Sequence, residues 1–387
     1  MNNEELSSFY NDRRNDYRSR ADALRLLLMP FAFIVLLGFP GKYGSYVTAL
    51  SNFVPPVFFI LYGFFTLVPR KSKRYGNLQR SLIRALRFFA AMFVSYMVLN
   101  IIYLTYIDPE KSLLGLASIL KHAVFNFFVL NVWPLPVGTS IWFVQSLIYA
   151  YLFFLIAETL RFNRYYIPIL IVLIAFSLAT GEFAGFFGFP HWGYSYIPGG
   201  AVTRAIPYML IGMLLRRYVD QLPKIPQYVY ITMFPVGLLL AIAEIQFLKH
   251  LGKLVYVGHT IGFGIMAVSL CCITLSKAKV ANNFLSNHGR NYSRRLYALC
   301  QPVALICWMA TDLIKPEYLS TVKEFSFVIS FVISFLIALS ISLAKYFTLA
   351  WRKNHSPQKS SQEMKSSNPE KTEQTEQPDK EKTEEHP

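Results

Sequence analysis

Residues 20–39 read Arg20-Ala21-Asp22-Ala23-Leu24-Arg25-Leu26-Leu27-Leu28-Met29-Pro30-Phe31-Ala32-Phe33-Ile34-Val35-Leu36-Leu37-Gly38-Phe39. A short polar segment runs straight into apolar sequence. Asp22 and Arg25 are three apart, which places them on one face of a helix where they can pair. The pair stands where a membrane helix meets the cytoplasm. An ionisable pair at the start of a span is costly to keep and points to a functional role. A plainer reading has Arg25 reaching to the lipid headgroups and Asp22 starting the helix. Spacing alone leaves both open.

Working outward, the whole chain has the composition of an integral membrane protein. Of 387 residues, 54% are hydrophobic and 16% aromatic, and mean hydropathy is +0.36. Only 16% are charged, against about 25% in soluble domains. The formal charge is +16. Charges nearly cancel in the polar tail after Trp351, so the excess belongs to the apolar part. There it reports topology and contact with anionic membrane lipids, and no nucleic-acid partner is expected. Cys271, Cys272, Cys300 and Cys307 all lie in apolar segments, so no disulfide framework is implied. The first apolar run follows basic residues but lacks a small-x-small cleavage site. It reads as an uncleaved first span.

Apolar runs predict ten spans, at about 23–40, 47–68, 82–106, 139–159, 165–184, 203–216, 227–247, 255–276, 292–313 and 325–349. Residues 113–131 read as an interfacial or re-entrant helix. The loop 182–200 is rich in Gly, Phe, Tyr and Trp. Residues 1–20 form a cytoplasmic arm, 21–351 the membrane domain and 352–387 a disordered cytoplasmic tail. With the N-terminus inside, Arg70–Arg74, Arg161, Arg164, Arg216, Arg217, Lys277, Lys279, Arg290 and Arg352 fall in inner loops. The expected fold is therefore an all-α polytopic bundle of about ten transmembrane helices with both termini cytoplasmic.

Two groups of residues suggest chemistry. Arg80, Arg84 and Arg87 fall at i, i+4 and i+7 as the third span begins, forming one basic stripe. Arg294 and Arg295 begin the ninth span on the same side, and Arg25 begins the first. Guanidinium forks match phosphate oxygens, so arginines at one depth suit a phosphorylated cytoplasmic ligand or anionic lipid. On the outer side, Glu244 and His259 would make an acid–base pair if they touch. Arg204 begins the sixth span, Glu182 and His191 flank the aromatic loop, and Trp192, Tyr194 and Tyr196 suit stacking on sugar rings. No nucleotide-binding loop, nucleophile elbow or metal-ligand spacing occurs, and no metal is expected.

The order of these pieces resembles the integral-membrane acyltransferase 3 family. The likeness is carried by Asp22 to Arg25, by Pro56-Val57-Phe58-Phe59-Ile60-Leu61-Tyr62-Gly63, and by the arginines at 80, 84 and 87. Ser140-Ile141-Trp142-Phe143, Pro207 to Gly212, and Tyr297-Ala298-Leu299-Cys300-Gln301-Pro302 continue it, across residues 18–349. The resemblance implies transfer of an acyl group, acetyl-like, from cytoplasmic acyl-CoA to a hydroxyl of a cell-envelope glycan or lipid-linked sugar. It implies a bacterial plasma membrane. Arg80, Arg84, Arg87, Arg295 and Trp142 would hold the donor, and Arg25, oriented by Asp22, would face the thioester. The chain departs from the family at its span 1 histidine, whose position is Leu36. Cys300 stands at the family's second histidine and Tyr62 at its small serine. His259 with Glu244, or Cys300 as a thiol, are the candidate substitutes. Two alternatives follow: a catalytically degenerate homologue that binds as a partner subunit, and a transporter or flippase-like protein.

Overall fold

A computed structural model of the protein describes residues 16–68, 71–107, 138, 140–187, 200–254, 260–276 and 284–355. The described structure is 89% helical without a strand, so the fold is an all-α membrane bundle. Seven helical stretches are long and apolar enough to cross a bilayer: Gly44–Thr66, Arg74–Tyr106, Ile141–Thr159, Phe162–Thr180, Gln227–His250, Tyr292–Ile314 and Ser326–Ala344. These seven overlap seven of the ten expected spans.

The other three expected spans are helical where described, but shorter than the about 20 residues a bilayer needs. The first is divided into α1, residues 16–27, and α2, Met29–Leu37. Pro30 has no N–H to bond Leu26, so the chain turns at Leu28. Leu28 N–H still donates to Leu24 O, and Ala32 N–H to Leu28 O, each at 3.0 Å. Met29, Ala32 and Phe33 of α2 are buried in protein.

Gly44–Leu50 forms α3, a single 3-10 turn follows, and Val54–Thr66 forms α4. Pro55 and Pro56 sit in the first turn of α4, where their missing N–H groups lose nothing. Lys71–Ile107 forms α5, starting about three turns before the expected 82. That extension carries Arg74, Asn77 and Arg80. Ile141–Thr159 is α6 and Tyr166–Thr180 is α7. Glu158 of α6 joins them: its Oε1 accepts from Arg74 at 2.6 Å and from the Tyr166 hydroxyl at 2.8 Å.

A π-helical turn, Ala201–Ala205, leads into α8, Ile206–Arg217. Gln227–His250 is α9, Ile261–Ser276 is α10, Phe284–Ile314 is α11 and Ser326–His355 is α12. The last helix runs on past Leu339, where a second compact unit begins.

Small residues let backbones close up where hydrocarbon cannot drive association. A Cβ at Gly63 of α4 would overlap the Met209 carbonyl of α8, and one at Gly212 would overlap Ile60 O in return. Gly237 of α9 and Gly262 of α10 face each other in the same manner, and Gly289 of α11 lies against the backbone of Asp22. The last contact brings α11 onto the polar start of α1. The expected re-entrant helix, most of the aromatic loop, and His259 lie outside the described residues.

Candidate functional site

A cavity of about 400 Å³ opens among α1, α2, α4, α5, α6 and α11, within the roughly 300–1,000 Å³ of small-molecule sites. α1 contributes Arg18, Asp22 and Arg25; α4 contributes Phe58, Tyr62, Phe65 and Thr66. Asn77, Ser81, Arg84 and Phe88 come from α5, Phe143, Leu147 and Tyr151 from α6, and Ser293, Arg294 and Tyr297 from α11. Among the described residues, four guanidiniums thus face one carboxylate, a formal excess of three positive charges. Phe58, Tyr62, Phe65, Phe88, Phe143, Tyr151 and Tyr297 make much of the remaining lining aromatic.

Asp22 and Arg25 form the pair that their spacing suggests. Arg25 Nη1 donates to Asp22 Oδ1 at 2.8 Å. The Asp22 side chain is 1% exposed and that of Arg25 17%. The Arg25 guanidinium also lies over the rings of Tyr62 at 5.3 Å and Phe65 at 5.7 Å. Its Nε is buried and makes no hydrogen bond among the described residues. Arg25 is thus held between a carboxylate and two rings at the cavity wall.

Of the α5 stripe, only Arg84 lines the cavity. Each residue advances a helix by about 100°. The cavity face of α5 is centred among Asn77, Ser81, Arg84, Ala85 and Phe88. Arg84 lies roughly 40° from that centre, and Arg80 and Arg87 roughly 80–100°. Arg80 is exposed and folds back, donating to Gly76 O at 3.0 Å and to Asn77 Oδ1 at 2.9 Å. Arg87 is exposed. Arg84 Nε donates to Arg80 O at 3.0 Å, which sets the angle of its fork. The same rotation decides between the neighbours on α11: Arg294 lines the cavity and Arg295 does not.

Trp142 also stands apart from the expected donor site. It lines a separate narrow crevice together with Leu36, and the Arg204 guanidinium lies over its ring at 5.4 Å. Arg204 is 2% exposed, in the π-helical turn. Glu244 Oε2 accepts the Gly262 N–H at 3.3 Å, capping the start of α10 rather than lining the cavity. Cys300 is fully buried, and its carbonyl accepts from the Ser330 hydroxyl. Cys300 does not line the cavity either.

A polar knot fixes the far wall. Gln301 Oε1 accepts from the backbone N–H groups of Gly138 and Ser140, each at 3.1 Å. The Tyr297 hydroxyl donates to Ser140 O at 2.7 Å, and the Tyr96 hydroxyl lies 2.8 Å from Ser140 Oγ. The Ser140–Phe143 and Tyr297–Gln301 stretches, far apart in sequence, are therefore one contact. Tyr62, Tyr151, Asn77, Ser81 and Arg18 were not singled out as site residues from sequence. Tyr and Ser in an apolar helix carry no signal of their own until a neighbour helix is placed against them.

Among the described residues, no imidazole, thiol or amine lines the cavity. Among the described residues no cluster of three His, Cys, Asp or Glu is placed to hold a metal ion. Chemically, the site suits an anion with several acceptor oxygens joined to an apolar portion. No family model, curated protein or solved structure matches the chain.

Proposed function

We propose that the chain is a multi-pass membrane acyltransferase resembling the acyltransferase 3 type, and that the arginine cavity takes the acyl-CoA donor from the cytoplasm. Arg84, Arg294 and Arg18 bind donor phosphate oxygens. Arg25, fixed by Asp22, faces the thioester. The acyl group passes to a hydroxyl of an envelope glycan or lipid-linked sugar. The excess of Lys and Arg in alternate loops supports ten spans in a bacterial plasma membrane with both termini inside. In that arrangement α1–α2, α8 and α10 are the short spans.

One observation carries this reading: guanidiniums from three helices, Arg25 on α1, Arg84 on α5 and Arg294 on α11, line a single hollow. Keeping so much like charge together beside an apolar wall is costly without an anionic ligand to offset it. A second reading rests on the same lining. General base catalysis contributes about 10²–10⁴-fold, and among the described residues the one carboxylate at the wall, Asp22, is held by Arg25. That favours a homologue that binds donor without transferring.

Purified protein in lipid nanodiscs, titrated with labelled acetyl-CoA, tests both. Donor binding is expected, weakened about tenfold or more in Arg84→Ala and little changed in Arg87→Ala. Equal effects of the two substitutions, or no binding at all, would refute the donor site. Binding with turnover supports transfer; binding with neither transfer nor hydrolysis supports the second reading.

A further inference from the structure

Arg80 and Arg87 are the two arginines of the α5 stripe that do not line the cavity, and both are exposed. Seven residues apart, they lie about 20° from one another around the helix. The same line continues through Val94 and Ile101, with Val98 beside it, and all three are exposed. One face of α5 is therefore basic for about two turns and apolar for about four more. Its length matches a bilayer. From Tyr106, near the end of α5, back to Arg87 is about 28 Å of helix, against a hydrocarbon core about 30 Å thick. With Tyr106 at one boundary, Arg87 stands at the other. Arg80 is about 10 Å further out, within a side chain's reach of the headgroup layer.

We infer that this face of α5 seats an anionic phospholipid, its phosphate at Arg87 and Arg80 and its acyl chains along Val94, Val98 and Ile101. Guanidinium forks match phosphate oxygens in shape and charge. Arg80 uses two of its N–H donors on Gly76 O and Asn77 Oδ1; a guanidinium has five, so three remain. α5 contains no Asp or Glu to neutralise either charge. Ile83 and Leu86, between the two arginines, are exposed as well, which suits the border of headgroup and hydrocarbon rather than open water. A soluble phosphate would gain nothing from the apolar half of the face, whereas a lipid contacts both halves. The face lies outside the arginine cavity, so the inference does not depend on the donor reading.

The experiment is photolabelling in nanodiscs with phosphatidylglycerol or phosphatidylcholine carrying a diazirine in the acyl chain, the labelled peptides being mapped. Wild type, Arg87→Gln, Arg87→Lys and Arg80→Gln/Arg87→Gln are compared. Exposed Val332 and Leu336 of α12 supply the internal reference, and unchanged labelling there reports that the variants are folded. In the wild type, phosphatidylglycerol is expected to label residues 94–101 about tenfold or more over phosphatidylcholine, since each arginine near the surface contributes about fivefold. Arg87→Gln lowers that ratio by about fivefold, Arg87→Lys keeps most of it, and the double variant brings it to the α12 level. Should the double variant fail to fold, the Gln and Lys variants at 87 decide. Inorganic phosphate added at constant ionic strength leaves the labelling unchanged; displacement of the lipid would mean that the site takes a bare anion, and would overturn the inference. Equal labelling by the two lipids in the wild type, or a preference that survives the double substitution, overturns it too. So does absence of labelling at 94–101 by either lipid, which would mean that protein, a second copy included, covers the face.

Discussion

Asp22 is almost wholly buried and Arg25 largely so, so their ion pair offsets part of what each loses on leaving water. Removing one partner from such a pair costs about 3–5 kcal/mol, because the other charge stays behind. Asp22→Ala should fall at the low end, since Arg25 keeps the Tyr62 and Phe65 ring faces. The double variant Asp22→Ala/Arg25→Ala should lose less than the two single losses together. Thermal unfolding in detergent micelles, run as a double-mutant cycle, measures this; strictly additive losses would mean the pair is not a unit. Glu158 makes a similar case at another corner, where Arg74 and Tyr166 both bond it. Glu158→Ala should cost about 3 kcal/mol or more, measured the same way. The Asp22–Arg25 pair was legible because three residues of helix bring any two side chains together. The Arg80–Arg84–Arg87 stripe was legible too, but its meaning was not. Periodicity fixes the angles among three arginines and is silent on which side another helix will occupy. Arg84 faces the hollow only because α4, α6 and α11 stand where they do.

Helices were readable wherever apolar sequence ran long, and their ends were not. Residues 71–81 look like loop because they are charged, yet Lys, Arg, Gln and Leu all propagate a helix well, and α5 simply continues through them. Pro30 was visible, but whether it bends a span or divides it depends on what packs beside Leu28. The glycine seams were legible only in part: Gly63 and Gly212 stood in quoted stretches, while their mutual contact is a property of two elements. That contact makes a prediction. A side chain at Gly63 must displace the Met209 carbonyl, and backbone yields poorly. Gly63→Ala should lower stability by about 3 kcal/mol, the upper range for overpacking. Gly76 of α5 has nothing within 4 Å of where a Cβ would stand. Gly76→Ala should therefore raise stability by about 0.5–1 kcal/mol through helix propensity. The opposite signs are checked by thermal unfolding of the two variants side by side. Equal effects would mean that α4 and α8 are not in close contact.

At the scale of the molecule, charge is the organising quantity. A net +16 on a chain that is mostly apolar is carried by loops and by polar stretches of helix such as the start of α5, with Arg74, Arg80, Arg84 and Arg87. The positive-inside bias is a sequence-level signal that sums over many residues and tolerates errors at any one. The cavity was not legible, because it is assembled from segments as far apart as Arg18 and Tyr297. An ensemble of cations gathered at one hollow acts over distance as well as by contact. Screening shortens its reach from about 30 Å at 0.01 M salt to about 3 Å at 1 M. Arg84 and Arg294 are exposed at the cavity rim and so feel that screening, whereas the buried Asp22–Arg25 pair is shielded from it. Binding of acetyl-CoA should therefore weaken by about tenfold between 0.05 and 0.5 M salt, as the rim attraction is screened. S-acetyl-pantetheine, which lacks the phosphates, should bind weakly at both concentrations with no comparable dependence. In Arg84→Ala the salt response for acetyl-CoA should flatten, since one of the screened charges is gone. Isothermal titration of each ligand across the salt series reads all three effects. A salt response that is the same for the phosphate-free thioester, or undiminished in Arg84→Ala, would mean that the phosphates are not held by these arginines.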